Sequence, residues 1–331
     1  MERREFLKSL AGITAGLMVP AAPFALSGCS QSDRLGELLP LRMLGRTGEK
    51  VTMLGIGGWH IGGKMSETEA QAVIEGALEG GVRFFDTAQS YQKGESERRY
   101  GKFLTPKYRD EVFLMTKTAA KDAGTARKHL ETSLKRLNTD HLDLWQVHAV
   151  QDAGDVDRRI EQGVFDVAME AKASGKARYI GFTGHTSPSA HERVLEKTDM
   201  FESCQMPVNL LDPSYESFIE RVLPTLTERN IGVLAMKTLS NGRFFGTDRK
   251  DGQEVKPALI PNRVSVAEAI HFVWSLPVSV LITGPDDRKQ MAEKIQLARS
   301  FKAMDETRRQ DLVNRVGDLA GNTVEYYKKL F

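Results

Sequence analysis

Cysteine is nearly absent from this chain of 331 residues, which contains only Cys29 and Cys204. Neither belongs to a CxxC pair, so the sequence offers no disulfide framework and no thiolate metal site. Cys204 lies in the apolar run ESCQMP and is expected to be a small core residue. The chain also lacks a large excess of charge of either sign, since its formal net charge is +2. No nucleic-acid or polyanion partner is therefore indicated.

The usual signatures of several other sites are missing as well. The segment GGWHIGG is rich in glycine but lacks the GxGxxG spacing of a dinucleotide fingerprint, so its glycines predict a tight turn. Asp152, Asp155 and Asp157 lack the glycine and the glutamate of a calcium loop and are interpreted as a solvated loop. Strand ends with paired histidines are absent, which disfavours a metal-dependent hydrolase. No metal site is predicted.

Residues 1–28 are not expected to belong to the folded domain. The basic segment MERREFLK precedes an apolar stretch that Pro20 and Pro23 interrupt, which is typical of an export signal rather than a membrane helix. The segment resembles the twin-arginine export signal, with Arg3 and Arg4 followed by FLK, although Glu2 replaces the consensus serine or threonine. The resemblance implies the twin-arginine export machinery as a partner.

The four residues LSGC that end at Cys29 resemble a bacterial lipobox. Lipidation of Cys29 would anchor the protein to a membrane through several acyl chains, since one chain holds a protein only weakly. The alternative is an unmodified cysteine beyond an ordinary cleavage site. The expected location is the periplasm, or a membrane surface through lipidated Cys29. Residues 29–40 are then expected to be a tether.

Reactive side chains stand at the ends of successive apolar segments. One segment ends at Asp86 and presents Tyr91 from the loop that follows; VFLMTK ends at Lys117, and LDLWQVH ends at His148. Positions 86, 117 and 148 are equally spaced, and the interval is long enough for the crossover connection that parallel strands need. Any one of these residues could be a solvated cap, but the set indicates a shared site.

The whole chain shows eight strand–helix units. The predicted strands end near these positions: Ile56, Asp86, Lys117, His148, Phe182, Gln205, Met236 and Gly284. Eight units favour a closed (β/α)8 TIM barrel over a doubly wound open sheet, with chemistry at the carboxyl ends of the strands. The barrel domain is expected to cover residues 41–331. It would have an N-terminal β-hairpin at 41–57 and a C-terminal extra helix, starting near Glu306, that packs outside the barrel.

Two further regions are candidates for substrate contact. Trp59 and His60 follow the first strand end and are expected to line a substrate pocket, with ordinary packing as the alternative. Ser240 to Arg263 is too long for a passive connection and is interpreted as a functional loop.

The four residues at the strand ends can move a proton to one oxygen. A phenol has an ordinary pKa near 10, and a neighbouring cation lowers it. Lys117 is the candidate cation beside Tyr91, Asp86 can fix Lys117, and His148 can bond the phenol or a substrate oxygen. Such a set needs a separate source of electrons, and a nicotinamide hydride is the simplest one.

The segments FFDTAQSY and GESERRYG, together with the lysine and histidine strand ends, resemble the aldo-keto reductase family over Leu41 to Ala298. The resemblance implies a (β/α)8 oxidoreductase that reduces an aldehyde or ketone with a nicotinamide cofactor, usually NADPH. It implies that Tyr91 is the general acid, that Lys117 adjusts the pKa of Tyr91, and that His148 orients the carbonyl. Asp86 holds Lys117 and also belongs to the implied cofactor contacts.

The resemblance also assigns the carboxamide and ring contacts of the cofactor. Thr183 and Gly184 stand where the family has serine and asparagine, so the hydroxyl is kept and the amide is lost, with His185 as a possible substitute. Gln205 matches the family's glutamine. Met236 replaces the aromatic that stacks on the nicotinamide, and it can cover a ring less rigidly.

The remaining implied contacts lie after the last two strands. Lys237 and Leu239 fall where the family contacts the pyrophosphate, and Gly284 matches after the eighth strand. Asp286 stands where a basic residue often meets the 2′-phosphate, with Arg288 and the lysine after it close by. NADPH is favoured and NADH stays open. The competing hypothesis for function is a nicotinamide-binding sensor or partner-binding barrel with little turnover.

Overall fold

The computed structural model describes residues 31–63, 65–246 and 258–328. The predicted export signal, Cys29 and part of the predicted loop at 240–263 lie outside these residues. The described part of the chain forms the following strands: β1 Ser32–Asp33, β2 Gly36–Glu37, β3 Leu41–Met43, β4 Lys50–Thr52, β5 Leu54–Gly57, β6 Phe84–Asp86, β7 Phe113–Thr118, β8 Leu142–Val147, β9 Ala177–Thr183, β10 Ser203–Pro207, β11 Gly232–Met236 and β12 Val280–Thr283.

Strands β5 to β12 close into a barrel in chain order, with β12 pairing back onto β5. Every neighbouring pair is parallel. The (β/α)8 fold is therefore confirmed, and the open sheet is excluded because no barrel strand is left as an edge.

Helices follow the barrel strands as the sequence predicts. They are α1 Gly58–Ile61, α2 Glu67–Glu79, α3 Glu95–Phe103, α4 Thr105–Tyr108, α5 Ala123–Leu137, α6 Ala153–Glu161, α7 Val164–Ala173, α8 Pro188–Lys197, α9 Phe218–Arg221, α10 Leu223–Glu228, α11 Val266–Trp274, α12 Arg288–Arg299 and α13 Glu306–Val316. Ser66 starts α2 with a capping box to Glu69. Two helices, α9 and α10, connect β10 to β11, because Pro224 lies in the first turn of the second one and interrupts a continuous helix.

Two apolar layers hold the barrel together. The larger one packs the outer faces of the strands against the helices, and the smaller one fills the barrel interior. The interior layer includes Phe84 and Phe113, whose rings stack with centroids 4.9 Å apart, and Leu44 and Val51 from the hairpin β3–β4. The predicted hairpin thus contributes apolar side chains to the barrel interior, and the opposite, carboxyl end of the strands stays available for chemistry.

The segment predicted to be a tether departs from that expectation, because the compact unit begins at Gln31. Strands β1 and β2 pair antiparallel as a second hairpin. Asp33 forms a bidentate ion pair with the buried guanidinium of Arg83, at 2.6 and 2.9 Å, which ties this hairpin to the barrel. Leu39 is buried in the outer apolar layer. Residues 31–40 therefore belong to the folded domain.

The acids after β8 were predicted to be a solvated loop, and this was wrong. They begin helix α6, where Asp152 caps the first turn by accepting from the amide of Asp155 at 2.8 Å. Asp155 is buried and pairs with Lys121 and Arg159. The aspartates thus serve as a helix cap and a buried partner for cations.

The C-terminal segment also differs from the prediction of one continuous helix. Helix α13 packs Leu312, Val313 and Val316 on the core and then ends at Gly317. Residues 317–328, called the tail from here on, form turns without a further α-helix. Since the tail contacts the loops that follow β9, β10 and β11, it lies at the carboxyl end of the barrel strands.

Candidate active site

The barrel brings the four predicted catalytic residues to one end. Asp86 ends β6, Lys117 lies one residue before the end of β7, and His148 directly follows β8. Tyr91 begins a short turn after β6, in which Gln92 and Lys93 adopt left-handed backbone angles. Because the strands are parallel neighbours, the four side chains come together at the carboxyl end of the barrel.

Lys117 is the centre of the hydrogen-bond network. Its buried ammonium pairs with the carboxylate of Asp86 and donates to the carbonyl of Thr87 at 2.8 Å. Its nitrogen lies 3.5 Å from the hydroxyl oxygen of Tyr91. Burial lowers the pKa of Lys117, but the carboxylate of Asp86 and the contact with Tyr91 outweigh burial, so the pKa lies above its ordinary value. Lys117 is therefore a fixed positive charge.

Tyr91 stays protonated at neutral pH. Burial raises the pKa of its phenol, and the ammonium of Lys117 only partly opposes this effect. The expectation that Lys117 brings the pKa below its ordinary value was wrong, because the cost of burying a phenolate is the larger effect. The phenol is therefore in the protonated form that a general acid requires.

His148 faces Tyr91 edge-on, with ring centroids 5.7 Å apart. Burial, together with the charges of Lys117, His185 and Arg159, holds the pKa of His148 well below its ordinary value. The imidazole is thus neutral at pH 7. Its Nδ1 is buried and has no hydrogen-bond partner among the described residues.

The geometry supports part of the set of residues predicted to contact the carboxamide of the cofactor. Gln205 on β10 donates to Asp86 at 3.3 Å, while its Oε1 is buried and has no partner among the residues the structure describes. Thr183, at the end of the neighbouring strand β9, is buried beside it. A buried acceptor without a donor suits an incoming amide NH₂, so these residues fit a nicotinamide. Gly184 leaves no room for an amide side chain, because a Cβ there would lie 2.5 Å from the carbonyl oxygen of Val150.

The tail lies against part of the region that the resemblance assigns to the pyrophosphate of the cofactor. Met236 ends β11 and is partly buried, and Leu239 packs against the outer apolar layer. Lys237 has a left-handed backbone, with its ammonium 3.4 Å from the hydroxyl of Tyr326 and over the rings of Tyr326 and Tyr327. These contacts were not predicted, since nothing in the sequence places the tail there.

The residues near the eighth strand end are divided between the mouth and the outside of the barrel. His60 donates through Nδ1 to the carbonyl of Gly284 at 2.6 Å, so the first and the last strand ends are joined. Trp59 is 54% exposed and packs edge-on against Tyr91, with ring centroids 5.2 Å apart. Trp59 therefore lies against Tyr91, and its assignment to a substrate pocket stays a prediction. Arg288 instead forms an ion pair with Glu79 and is not brought to the site.

Two negative findings apply to the described residues alone. Within 31–63, 65–246 and 258–328, no three histidine, cysteine or acidic side chains are arranged to hold a metal ion. Over the same ranges, no helix combines the length and the apolar character that crossing a membrane requires.

Comparisons with known proteins bear on the family and the fold of this chain. The model of the aldo/keto reductase family matches residues 53–308. The aldo-keto reductase YhdN of Bacillus subtilis is 33% identical over 220 residues, which cover 60% of this chain and 62% of the relative. The L-glyceraldehyde 3-phosphate reductase of Escherichia coli is 28% identical over 235 residues, or 65% of each chain. The chain thus spans less than two thirds of the length of these curated relatives.

A solved structure shows the same fold. The holo form of an aldo-keto reductase from Bacillus halodurans superposes with a TM-score of 0.72, covering 84% of this chain and 96% of that chain at 22% identity.

Proposed function

This chain belongs to the aldo/keto reductase family of oxidoreductases, and on that premise we propose that it reduces an aldehyde or a ketone to an alcohol with Tyr91 as general acid. The observation that carries the proposal is the 3.5 Å approach of the Lys117 ammonium to the Tyr91 hydroxyl, beside the neutral ring of His148. Nothing in this set requires a bound metal, because the phenol can supply the proton.

Each of the four side chains has a different role in the reduction of the carbonyl. Tyr91 gives its proton to that oxygen as negative charge develops there, and Lys117 stabilises the phenolate that remains. His148 orients the carbonyl through its neutral ring, and Asp86 fixes Lys117 through their buried ion pair. A bound nicotinamide would supply the hydride to the carbonyl carbon. The reverse oxidation of an alcohol would use the same groups in the opposite direction.

We further propose that Thr183, Gln205 and Met236 hold the nicotinamide end of the cofactor. The support is the unpartnered buried oxygen of Gln205 beside Thr183. The other implied contacts are Lys237, Leu239 and Gly284.

NADPH is the proposed cofactor, with NADH as the competitor. Arg288 is exposed and would have to leave Glu79 to reach a 2′-phosphate. Comparing the affinities of the two cofactors for wild-type protein and for Arg288→Met tests this assignment. Loss of preference for NADPH in the variant supports it, and an unchanged preference contradicts it.

Export is a separate proposal that rests on the sequence of residues 1–29. We propose that the twin-arginine route carries the protein outward and that Cys29 becomes its lipid anchor. Fractionation of cells that produce Arg3→Lys/Arg4→Lys or Cys29→Ser tests both steps. The first variant should stay in the cytoplasm, and the second should be released from the membrane. Wild-type distribution of both variants would contradict the proposal.

The competing function is a nicotinamide-binding sensor with little turnover. It is favoured by the contact of Lys237 with Tyr326 and by the missing amide at Gly184. A panel of aldehydes and ketones, added to purified protein with either cofactor, separates the two functions through nicotinamide absorbance. Oxidation with at least one carbonyl supports the reductase, whereas tight cofactor binding without any oxidation supports the sensor.

A further inference from the structure

A buried arginine outside the catalytic set holds the turn that carries His148. Arg159 lies on helix α6 and is 1% exposed. One of its terminal nitrogens donates to the carbonyl of His148 at 2.9 Å, and the other donates to the carbonyl of Ala149 at 3.1 Å. Two consecutive carbonyls that converge on one guanidinium fix the direction of the backbone between them.

The turn needs such a restraint because its backbone is strained. Ala149 has φ = 55°, a left-handed conformation that costs a residue with a Cβ roughly 1–2 kcal/mol. The amide of Val150 donates to the carbonyl of Thr183 at 2.9 Å, which fixes the far side of the turn. A conformation of this kind persists only when its surroundings determine it, and Arg159 supplies the contact on the near side.

The charge of Arg159 is partly compensated by a neighbouring carboxylate. Asp155 accepts from Arg159 at 3.0 Å and from Lys121 at 2.5 Å, so a buried carboxylate is shared between two cations. Asp155 also accepts from the amide of Gln151 at 3.2 Å, which ties the start of α6 to the same network. The cluster keeps one positive charge in excess next to the ring of His148.

We propose that Arg159 is a positioning residue for His148, which it aims at Tyr91 by fixing the turn at Ala149. This inference rests on the proposed reductase function and adds a residue that touches neither substrate nor cofactor. Arg159 acts through two backbone carbonyls, so its loss should allow the imidazole to move without removing any group that contacts the reacting atoms.

The electrostatic consequence follows from the groups that face His148. These are Lys117 on β7, His185 after β9, Arg159 on α6 and the phenol of Tyr91. Removing the charge of Arg159 takes away one cation and leaves Asp155 less compensated. Both changes favour the imidazolium, so the pKa of His148 should rise.

The test compares Arg159→Met with Arg158→Met, a matched control that removes an exposed arginine from the same helix. A displacement of about 1 Å can cost ~100-fold in rate, so we expect kcat to fall ~10–100-fold in Arg159→Met. Cofactor affinity should change much less than kcat. The pKa of His148, followed by NMR titration, should move upward, and the acidic limb of the rate profile should move with it. Arg158→Met should match wild type in each measurement.

Arg159→Lys keeps the charge but replaces two rigidly spaced terminal nitrogens with a single one, so it should hold the two carbonyls less firmly, and it carries the test if the methionine variant fails to fold. It should lower kcat while the pKa of His148 stays low. Wild-type kcat in the lysine variant, or loss of cofactor affinity and kcat in equal measure, would overturn the inference. Absence of turnover in wild-type protein would instead refute the reductase function, and the NMR titration would still show whether Arg159 acts on His148.

Discussion

The tail is held on the barrel by a buried cation, and replacing that cation should lower the stability of the tail or of the whole domain. The ammonium of Lys328 is fully buried between the carboxylates of Asp212 and Glu325, at 2.7 and 2.8 Å. It also donates to the carbonyl of Tyr215 at 2.5 Å. Lys328→Met keeps the length of the side chain and removes its charge. Two buried carboxylates are then left without their cation.

The expected cost follows from that arrangement. Burial already raises the pKa of Asp212 and of Glu325, and Lys328 is the main opposing charge at both. Removing one partner of a buried ion pair typically costs about 3–5 kcal/mol. If the tail stays docked, the free energy of unfolding should fall by that amount, which corresponds to a drop in melting temperature of roughly 5–10 °C. If undocking costs less, the tail will detach, and the loss will be local.

Denaturant unfolding and limited proteolysis together distinguish these outcomes. Lys302→Met, at an exposed lysine, is the control and should leave both measurements unchanged. The penalty in Lys328→Met should shrink as the pH falls, because protonation neutralises the two carboxylates. A stability within about 0.5 kcal/mol of wild type, with no faster cleavage near the C-terminus, would refute the argument.

Three further predictions concern single residues. Lys117→Met should raise the pKa of Tyr91 further and lower kcat ~100-fold or more, since the cation that stabilises the phenolate is lost; a steady-state assay with an active carbonyl checks it. Gly184→Asn should weaken cofactor binding in a fluorescence titration, because its Cβ would press on the carbonyl of Val150; tighter binding would contradict the steric argument. His191 is buried with a pKa lowered to about 4. Since an unfolded imidazole titrates near 6.5, acidification from pH 7 to 5 should destabilise wild type by about 2 kcal/mol through His191, and unfolding of His191→Gln should lack this part.

The barrel and the positions of the candidate catalytic residues were predictable because they depend on local patterns. Asp86, Lys117 and His148 each end an apolar run. Their equal spacing along the chain indicates successive strand–helix units, which place the three residues at the same end of a parallel barrel. The capping box at Ser66 and Glu69 was predictable for the same reason, since it involves one turn of helix.

Contacts between distant segments were not predictable. Lys328 and Asp212 are far apart in sequence, and a polar segment such as the tail carries no pattern that reports its burial. Helix α6 was missed because three aspartates at its start looked like a solvated loop, whereas one caps the helix and another pairs with Arg159. The net pKa of Tyr91 was also beyond the sequence, because it depends on how deeply the phenol is buried.

The most direct test is the rate of carbonyl-dependent nicotinamide oxidation by Tyr91→Phe, measured with cofactor affinity on the same preparation. The phenyl ring keeps the shape of the site and removes only the hydroxyl that lies 3.5 Å from Lys117. We predict unchanged cofactor affinity and a turnover lowered ~100- to 10,000-fold, as expected for the loss of a general acid. Turnover at the wild-type rate in Tyr91→Phe would contradict the assignment of this phenol as the proton donor.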